Sequence, residues 1–270
     1  MAMLWNAFFV SALDADPYRA WSLAEQGVAA FAEARAPHHL SLVRTLAGFV
    51  QVELADVDGA ERSCREALAV AERIGDGYAT LNAWFYLAYA LVERPSPERL
   101  AEAEDLATRV LNSSTSISYD LCSRWTLTKV AIERGQWAAA ETMARAARAL
   151  AHETPIYRLA ITACLIEALT GLGRAEEAAA LAQGDLEQLE QLGSAGFAEI
   201  PFRAAAAEAS LRIGDQESAR VGLKRAVREI ELRASRIPDD GVRDAYLHRS
   251  RCNRRVFARW AGGAPPSDAP

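Results

Sequence analysis

Lysine is nearly missing from this chain. Lys129 and Lys224 are the only two, which leaves arginine as 28 of the 30 basic residues. Cysteine is sparse and scattered: Cys64, Cys122, Cys164 and Cys252 form no CxxC pair and have no histidine at ligand spacing. That argues against a zinc site or a disulfide framework and fits a reducing cytoplasm. Long apolar runs are also missing. The longest stretch without a charge is Gly77 to Val92, 16 residues, short of the roughly 20 needed to cross a bilayer. The apolar start MAMLWNAFFVSAL lacks a basic flank and a cleavage site, so it does not read as a signal peptide. No segment alternates apolar and polar residues with the period of a strand. The net charge of −6 provides no global attraction for nucleic acid or an anionic membrane.

Catalytic and metal motifs are absent as well. There is no GxSxG, no HRD or DFG, and no glycine-rich strand loop. Gly171-Leu172-Gly173 lacks the Gly-Lys-Ser/Thr ending of a phosphate loop and reads as a turn. His38 and His39 are adjacent, so on a helix their rings point apart and make poor joint ligands. His152 and His248 are isolated, and Glu176-Glu177 lies on an ordinary polar helix face. These absences predict a chain that is not an enzyme and needs no metal or cofactor.

What is present is helix. Of 270 residues, 51% are hydrophobic and about one in five is alanine, an Ala-rich, Arg-biased helical composition that fits a GC-rich bacterial genome. Trp84 to Leu111 shows the organisation best. Trp84, Leu87, Ala88 and Leu91 share one helical face, PSPER breaks the helix, and Ala103 and Ala107 mark the buried side of a second helix. Asp16-Pro17, Ser96-Pro97 and Thr154-Pro155 read as caps followed by proline in the first turn. Asn112 to Ser118 reads as a loop, and Pro238-Asp239 opens a last helix running to Trp260.

The pattern repeats. One frame puts a small residue early in each second helix, at Ala20, Ala60, Ala103, Ala140, Ala178 and Ala219. One turn on, it places Ala24, Cys64, Ala107, Ala144, Ala182 and Leu223. The matching slots in the first helices are Phe8, Gly48, Ala88, Thr128, Ile166 and Ala207, spaced 40, 40, 40, 38 and 41 residues apart. Periods of this length indicate stacked supersecondary units.

Trp84, Leu87, Ala88, Leu91, Ala103 and Ala107 follow the order of the tetratricopeptide repeat. Gly48, Ala60 and Ala67, then Gly135, Ala140 and Ala147, then Gly214, Ala219 and Ala226 follow it too. The chain therefore resembles that family over about residues 1–235. Its units are longer than the usual 34 residues and look like those at the C-terminal end of bacterial serine/threonine kinases and ATPase-type transcription regulators. The ending IPDDGVRDAYLHRS is similar to the end of such kinase-linked arrays. Arg44, Arg124, Thr162 and Arg203 depart from the family by occupying its Trp slot, and Asp185 by occupying an Ala slot. A HEAT-like array has an overlapping period and stays open.

The resemblance implies an all-α, right-handed superhelical solenoid of about six antiparallel helix pairs, at about 1–35, 36–75, 77–112, 119–152, 154–192 and 199–235. A C-terminal capping helix at 236–260 and a disordered tail at 261–270 follow. It also implies a concave groove lined by the first helices. By frame, the groove slots are Trp5 and Phe9, Thr45 and Phe49, Phe85 and Tyr89, Trp125 and Lys129, Ala163 and Glu167, and Ala204 and Glu208. The binding expectation rests on Trp5, Phe9, Phe49, Phe85, Tyr89, Trp125 and Lys129, because aromatic anchors bury large area with few torsions to freeze. The competing reading is that these rings are interhelical core.

Three functions follow as expectations. The first is a non-catalytic scaffold that holds a peptide or helix of a protein partner in the groove. The second is a sensing module attached to an upstream kinase or ATPase domain of the same parent chain. The third is self-association through the apolar N-terminal end, where Trp5, Phe8 and Phe9 begin the array without a polar cap. Arg243, Arg249, Arg251, Arg254, Arg255 and Arg259 form a basic C-terminal cluster. With no recognition motif beside it, that cluster reads as a solvated helix face rather than a phosphate-binding one.

Overall fold

A computed structural model describes residues 2–13 and 15–263. Among them the chain forms fourteen α-helices. Twelve make six pairs: α1 (Ala2–Ala12) with α2 (Pro17–Glu33), α3 (Pro37–Glu53) with α4 (Val57–Ile74), and α5 (Gly77–Val92) with α6 (Pro97–Ser113). Then come α7 (Ile117–Glu133) with α8 (Trp137–Leu150), α9 (Pro155–Gly171) with α10 (Ala175–Leu192), and α11 (Glu199–Arg212) with α12 (Gln216–Ser235). Two shorter helices, α13 (Asp240–His248) and α14 (Arg251–Gly263), close the array.

Local chemistry sets most of these boundaries. Asp16, Asp56, Asp76, Ser96, Asp215 and Asp239 each accept a hydrogen bond from the backbone N–H three residues on, satisfying a donor that the first turn leaves open. Thr154 departs from its expected role: its hydroxyl donates back to the Ala151 carbonyl at 3.4 Å and makes no cap. The loop expected at Asn112 to Ser118 is shorter, because α6 runs through Ser113 and α7 begins at Ile117. The single last helix is also corrected. The chain breaks at Ser250, and Asn253 Nδ2 donates to the Tyr246 carbonyl at 2.8 Å, tying α14 back onto α13. The tail expected at 261–270 falls outside the described residues from 264 onward.

Small residues set how closely the helices pack. All six early small residues of the second helices are 0–1% exposed, and the slots one turn later are 0–5% exposed. Gly48 shows why size matters: a Cβ there would lie 2.5 Å from Cys64 Sγ and 3.1 Å from the Ala60 carbonyl oxygen. Departures from the frame compensate one another. Thr162 stands where a large ring was expected and Asp185 where an alanine was, and Thr162 Oγ1 donates to Asp185 Oδ2 at 2.7 Å. Arg148 and Arg158 complete that buried network at 2.9 and 3.1 Å. Arg44 likewise pairs with Glu66, Arg124 with Asp120 and Arg203 with Glu199.

Each pair touches the next, and successive first helices (α1, α3, α5, α7, α9, α11) also touch one another. The first helices therefore form the inner face of a solenoid. On the outer face, second helices are bridged by the half-buried ion pair Arg99–Glu61 at 2.5 Å and by exposed ones, including Arg65–Glu102 at 2.8 Å and Arg145–Glu177 at 2.5 Å. Exposed pairs of this kind contribute at most about 1 kcal/mol each.

Candidate functional site

The inner face is not an empty groove. The linker between α10 and α11 turns inward at Gly193 and Gly196, whose φ values of 74° and 50° lie in the left-handed region that glycine enters without a Cβ penalty. This delivers Phe197 into the middle of the concave face. Its ring lies 5.4 Å from Phe49, 5.9 Å from Trp125 and 5.6 Å from Tyr157, centroid to centroid. One phenylalanine thus bridges three first helices and divides the groove in two.

On one side, toward the N-terminal ends of the first helices, lies a cavity of about 550 Å³. Phe85, Tyr86, Leu42, Leu46, Tyr157 and Phe8 supply its apolar wall. Its rim is polar: His38 bonds Asp76, and Asn82 Nδ2 donates to Tyr119 Oη at 2.6 Å.

On the other side, toward the C-terminal ends of those helices, a smaller chamber of about 180 Å³ is walled by Tyr89, Trp125, Cys164 and Phe197. Its charges come from α3, the C-terminal end of α5, α7, α9, α12 and α14. Lys129 lies over the Tyr89 ring at 4.6 Å and pairs with Glu93. Burial is the largest influence on Lys129 and by itself would lower its pKa, but Glu93 beside it, helped by Cys164 and Glu53, raises it. Glu53 is half-buried and lines the chamber. Loss of water around its carboxylate pushes its pKa from 4.5 up to about 7; Arg233 opposes the rise, Glu93 adds to it, and Lys129 and the Tyr89 hydroxyl oppose it. Burial likewise pushes the Cys164 thiol up to about 12, which leaves it protonated and a poor nucleophile.

Helix α14 closes this chamber. Arg251, Arg255 and Arg259 recur every four residues along it and so share one face. They pair with Glu133 of α7 at 2.6 Å, Glu167 of α9 at 3.0 Å and Glu208 of α11 at 2.9 Å. Half of the basic C-terminal cluster thus bridges three successive first helices, correcting the reading of a merely solvated face. Arg243 is engaged too, donating to the Ile237 carbonyl at 2.7 Å.

The expected groove residues divide accordingly. Phe85 lines the larger cavity; Tyr89, Trp125 and Lys129 line the chamber; Phe49 packs between them against Phe197. Phe49, Tyr89 and Trp125 are only 3–5% exposed because the chain covers that part of its groove, and Phe85, in the wall of the open cavity, is 5% exposed. Phe9 is different: it is 48% exposed, and Phe8 instead faces inward, 6.5 Å from Phe49. Helix α1 is apolar around its circumference, so its sequence does not specify which ring turns in. The Trp5 side chain lies outside the described residues. Sequence reasoning missed Phe197, Glu53, Arg233 and Tyr246. Phe197 alone left a signal, as a bulky ring in the small-residue stretch GSAGFAE.

Among the described residues, no group of three or more His, Cys, Asp or Glu is placed to hold a metal ion, and no helix is long and apolar enough to cross a membrane. No protein-family model and no curated protein matches the chain. Among solved structures it is similar to a tetratricopeptide repeat protein from Parabacteroides merdae. The identity is 15%, over 95% of this chain and 98% of that one, with a TM-score of 0.37. A likeness that low carries no residue roles across, so the fold assignment rests on the helix pairing itself.

Proposed function

We propose that the chain is a non-catalytic interaction module that binds a peptide segment of a protein partner in the open half of its groove. The observation behind this reading is the cavity of about 550 Å³ walled by Phe85, Tyr86 and Leu42. It is large enough for an aromatic or branched side chain, and its polar rim offers groups for a peptide backbone. The other half of the same groove already holds a helix of this chain through evenly spaced ion pairs. Walls built on packed helices are preformed, so binding costs little ordering.

The test is selection from a displayed peptide library, counter-screened with Leu42→Arg. Supporting peptides share one apolar anchor and lose binding to that variant while its far-UV circular dichroism and melting temperature stay at wild-type values. Peptides that bind both proteins equally would place recognition elsewhere. A second reading, a sensing module for an attached kinase or ATPase domain, draws on α14. A ligand that changed the spacing of α7, α9 and α11 would strain its three ion pairs and move the C-terminal end.

A further inference from the structure

The chamber beneath α14 has polar groups whose hydrogen bonding does not close. Lys129 is matched by Glu93, Arg251 by Glu133 and Arg255 by Glu167. Two groups remain. Arg233 is only 3% exposed and is ion-paired through Nε with Glu229 at 2.8 Å and, more distantly, through Nη2 with Glu199 at 3.9 Å, but among the described residues that Nη2 has no hydrogen-bond partner. Glu53 has one long hydrogen bond, from the Tyr89 hydroxyl at 3.4 Å, and no ion pair with Arg233 among the described residues. Nearby, the Tyr246 hydroxyl, on a residue 4% exposed, has the Asn253 side chain beside it but makes no hydrogen bond of normal geometry among the described residues. Orphaned buried polar atoms of this kind carry a desolvation cost unless something occupies the space. The space is there: about 180 Å³, where a single water needs only on the order of 10–15 Å³.

We propose that this chamber binds a small zwitterion of the α-amino-acid class, its carboxylate taken by Arg233 and Tyr246 and its ammonium by Glu53. Charge decides the class. An anion would add to the carboxylates of Glu53, Glu93, Glu133 and Glu167, and a cation would add to Lys129, Arg233, Arg251 and Arg255. A zwitterion adds no net charge and satisfies both leftover groups. Apolar surface from Trp125, Phe197, Ala160 and Ala163 leaves room for a small aliphatic side chain. Glu53 holds part of a proton near neutral pH, so an incoming ammonium expels it.

The experiment is isothermal titration and thermal shift on the full chain with glycine, L-alanine and L-leucine, against propionate and propylamine at matched concentration. At least one amino acid is expected to bind and raise the melting temperature while both single-charge controls do not. Binding at pH 7 is expected to release a fraction of a proton, read by repeating the titration in buffers of different ionisation heat. Glu53→Gln is expected to weaken binding at least tenfold; it removes only a charge, so it stays informative even where Arg233→Met fails to fold. Leu42→Arg, in the separate peptide cavity, is expected to leave amino-acid binding unchanged, which separates this site from the peptide reading. No binding by any of the three amino acids, or propionate binding as tightly as L-alanine, overturns the proposal.

Discussion

Glu53 makes the unliganded protein's stability depend on pH in an unusual direction. Its carboxyl is raised from 4.5 to about 7, which at 1.36 kcal/mol per unit is worth about 3 kcal/mol. A raised folded-state value means the folded chain keeps the proton longer than the unfolded one. The stability tied to that proton is fully present below pH 4.5, falls as pH rises toward about 7, and is gone above it. The groups facing Glu53 are Tyr89 on α5 and Glu93 just after it, Lys129 on α7, Arg233 on α12 and Tyr246 on α13. Other residues titrate in the same range, so the informative quantity is the difference between wild type and Glu53→Gln, which cannot ionise. Urea denaturation at pH 5, 6, 7 and 8 is expected to show the variant only about 1 kcal/mol more stable than wild type at pH 5 and about 3 kcal/mol more stable at pH 8, the latter on the order of 6 °C in melting temperature. A constant offset across the series, or a variant that is less stable at pH 8, would refute the reasoning. It would mean that Glu53 is ionised in the fold and serves as the counter-ion of Arg233.

Other perturbations test the packing and the latch. Asp185→Ala removes the acceptor shared by Thr162, Arg148 and Arg158 and is expected to cost about 3 kcal/mol in chemical denaturation, since it strands buried donors. Gly48→Ala is expected to destabilise by about 1–3 kcal/mol, and adding Cys64→Ala should recover part of the loss by removing the Sγ that the new methyl meets at 2.5 Å. Ala55 holds a φ of 65° at a turn where the fourth, fifth and sixth pairs use Gly135, Gly173 and Gly214, so Ala55→Gly should raise the melting midpoint or leave it unchanged, never lower it. Reversing Arg251, Arg255 and Arg259 to Glu should speed amide hydrogen exchange in α14 while α3 to α8 keep wild-type protection; unchanged exchange would show that apolar contacts alone hold that helix.

The repeat was legible because it is written locally. Helical periodicity, the Asp and Ser caps, and one small residue per second helix are properties of short windows that recur, and close packing allows only small side chains at Ala20, Ala60 or Ala219. The same frame predicted which faces of α5 and α7 turn inward, so Phe85, Tyr89, Trp125 and Lys129 were found together on the concave side. What occupies that side was not local. Phe197 meets Phe49 across 148 residues and Arg251 meets Glu133 across 118, and both contacts depend on how far six pairs curve. No window around Glu53 or Arg233 marks either as special. They come together because curvature brings α3 and α12 to one chamber that α14 covers. The sequence by itself determined the helices, their pairing and their inner face; only the tertiary structure decided that this face is divided, partly filled by its own chain, and left with one acid without an ion pair and one buried guanidinium N–H group without an acceptor.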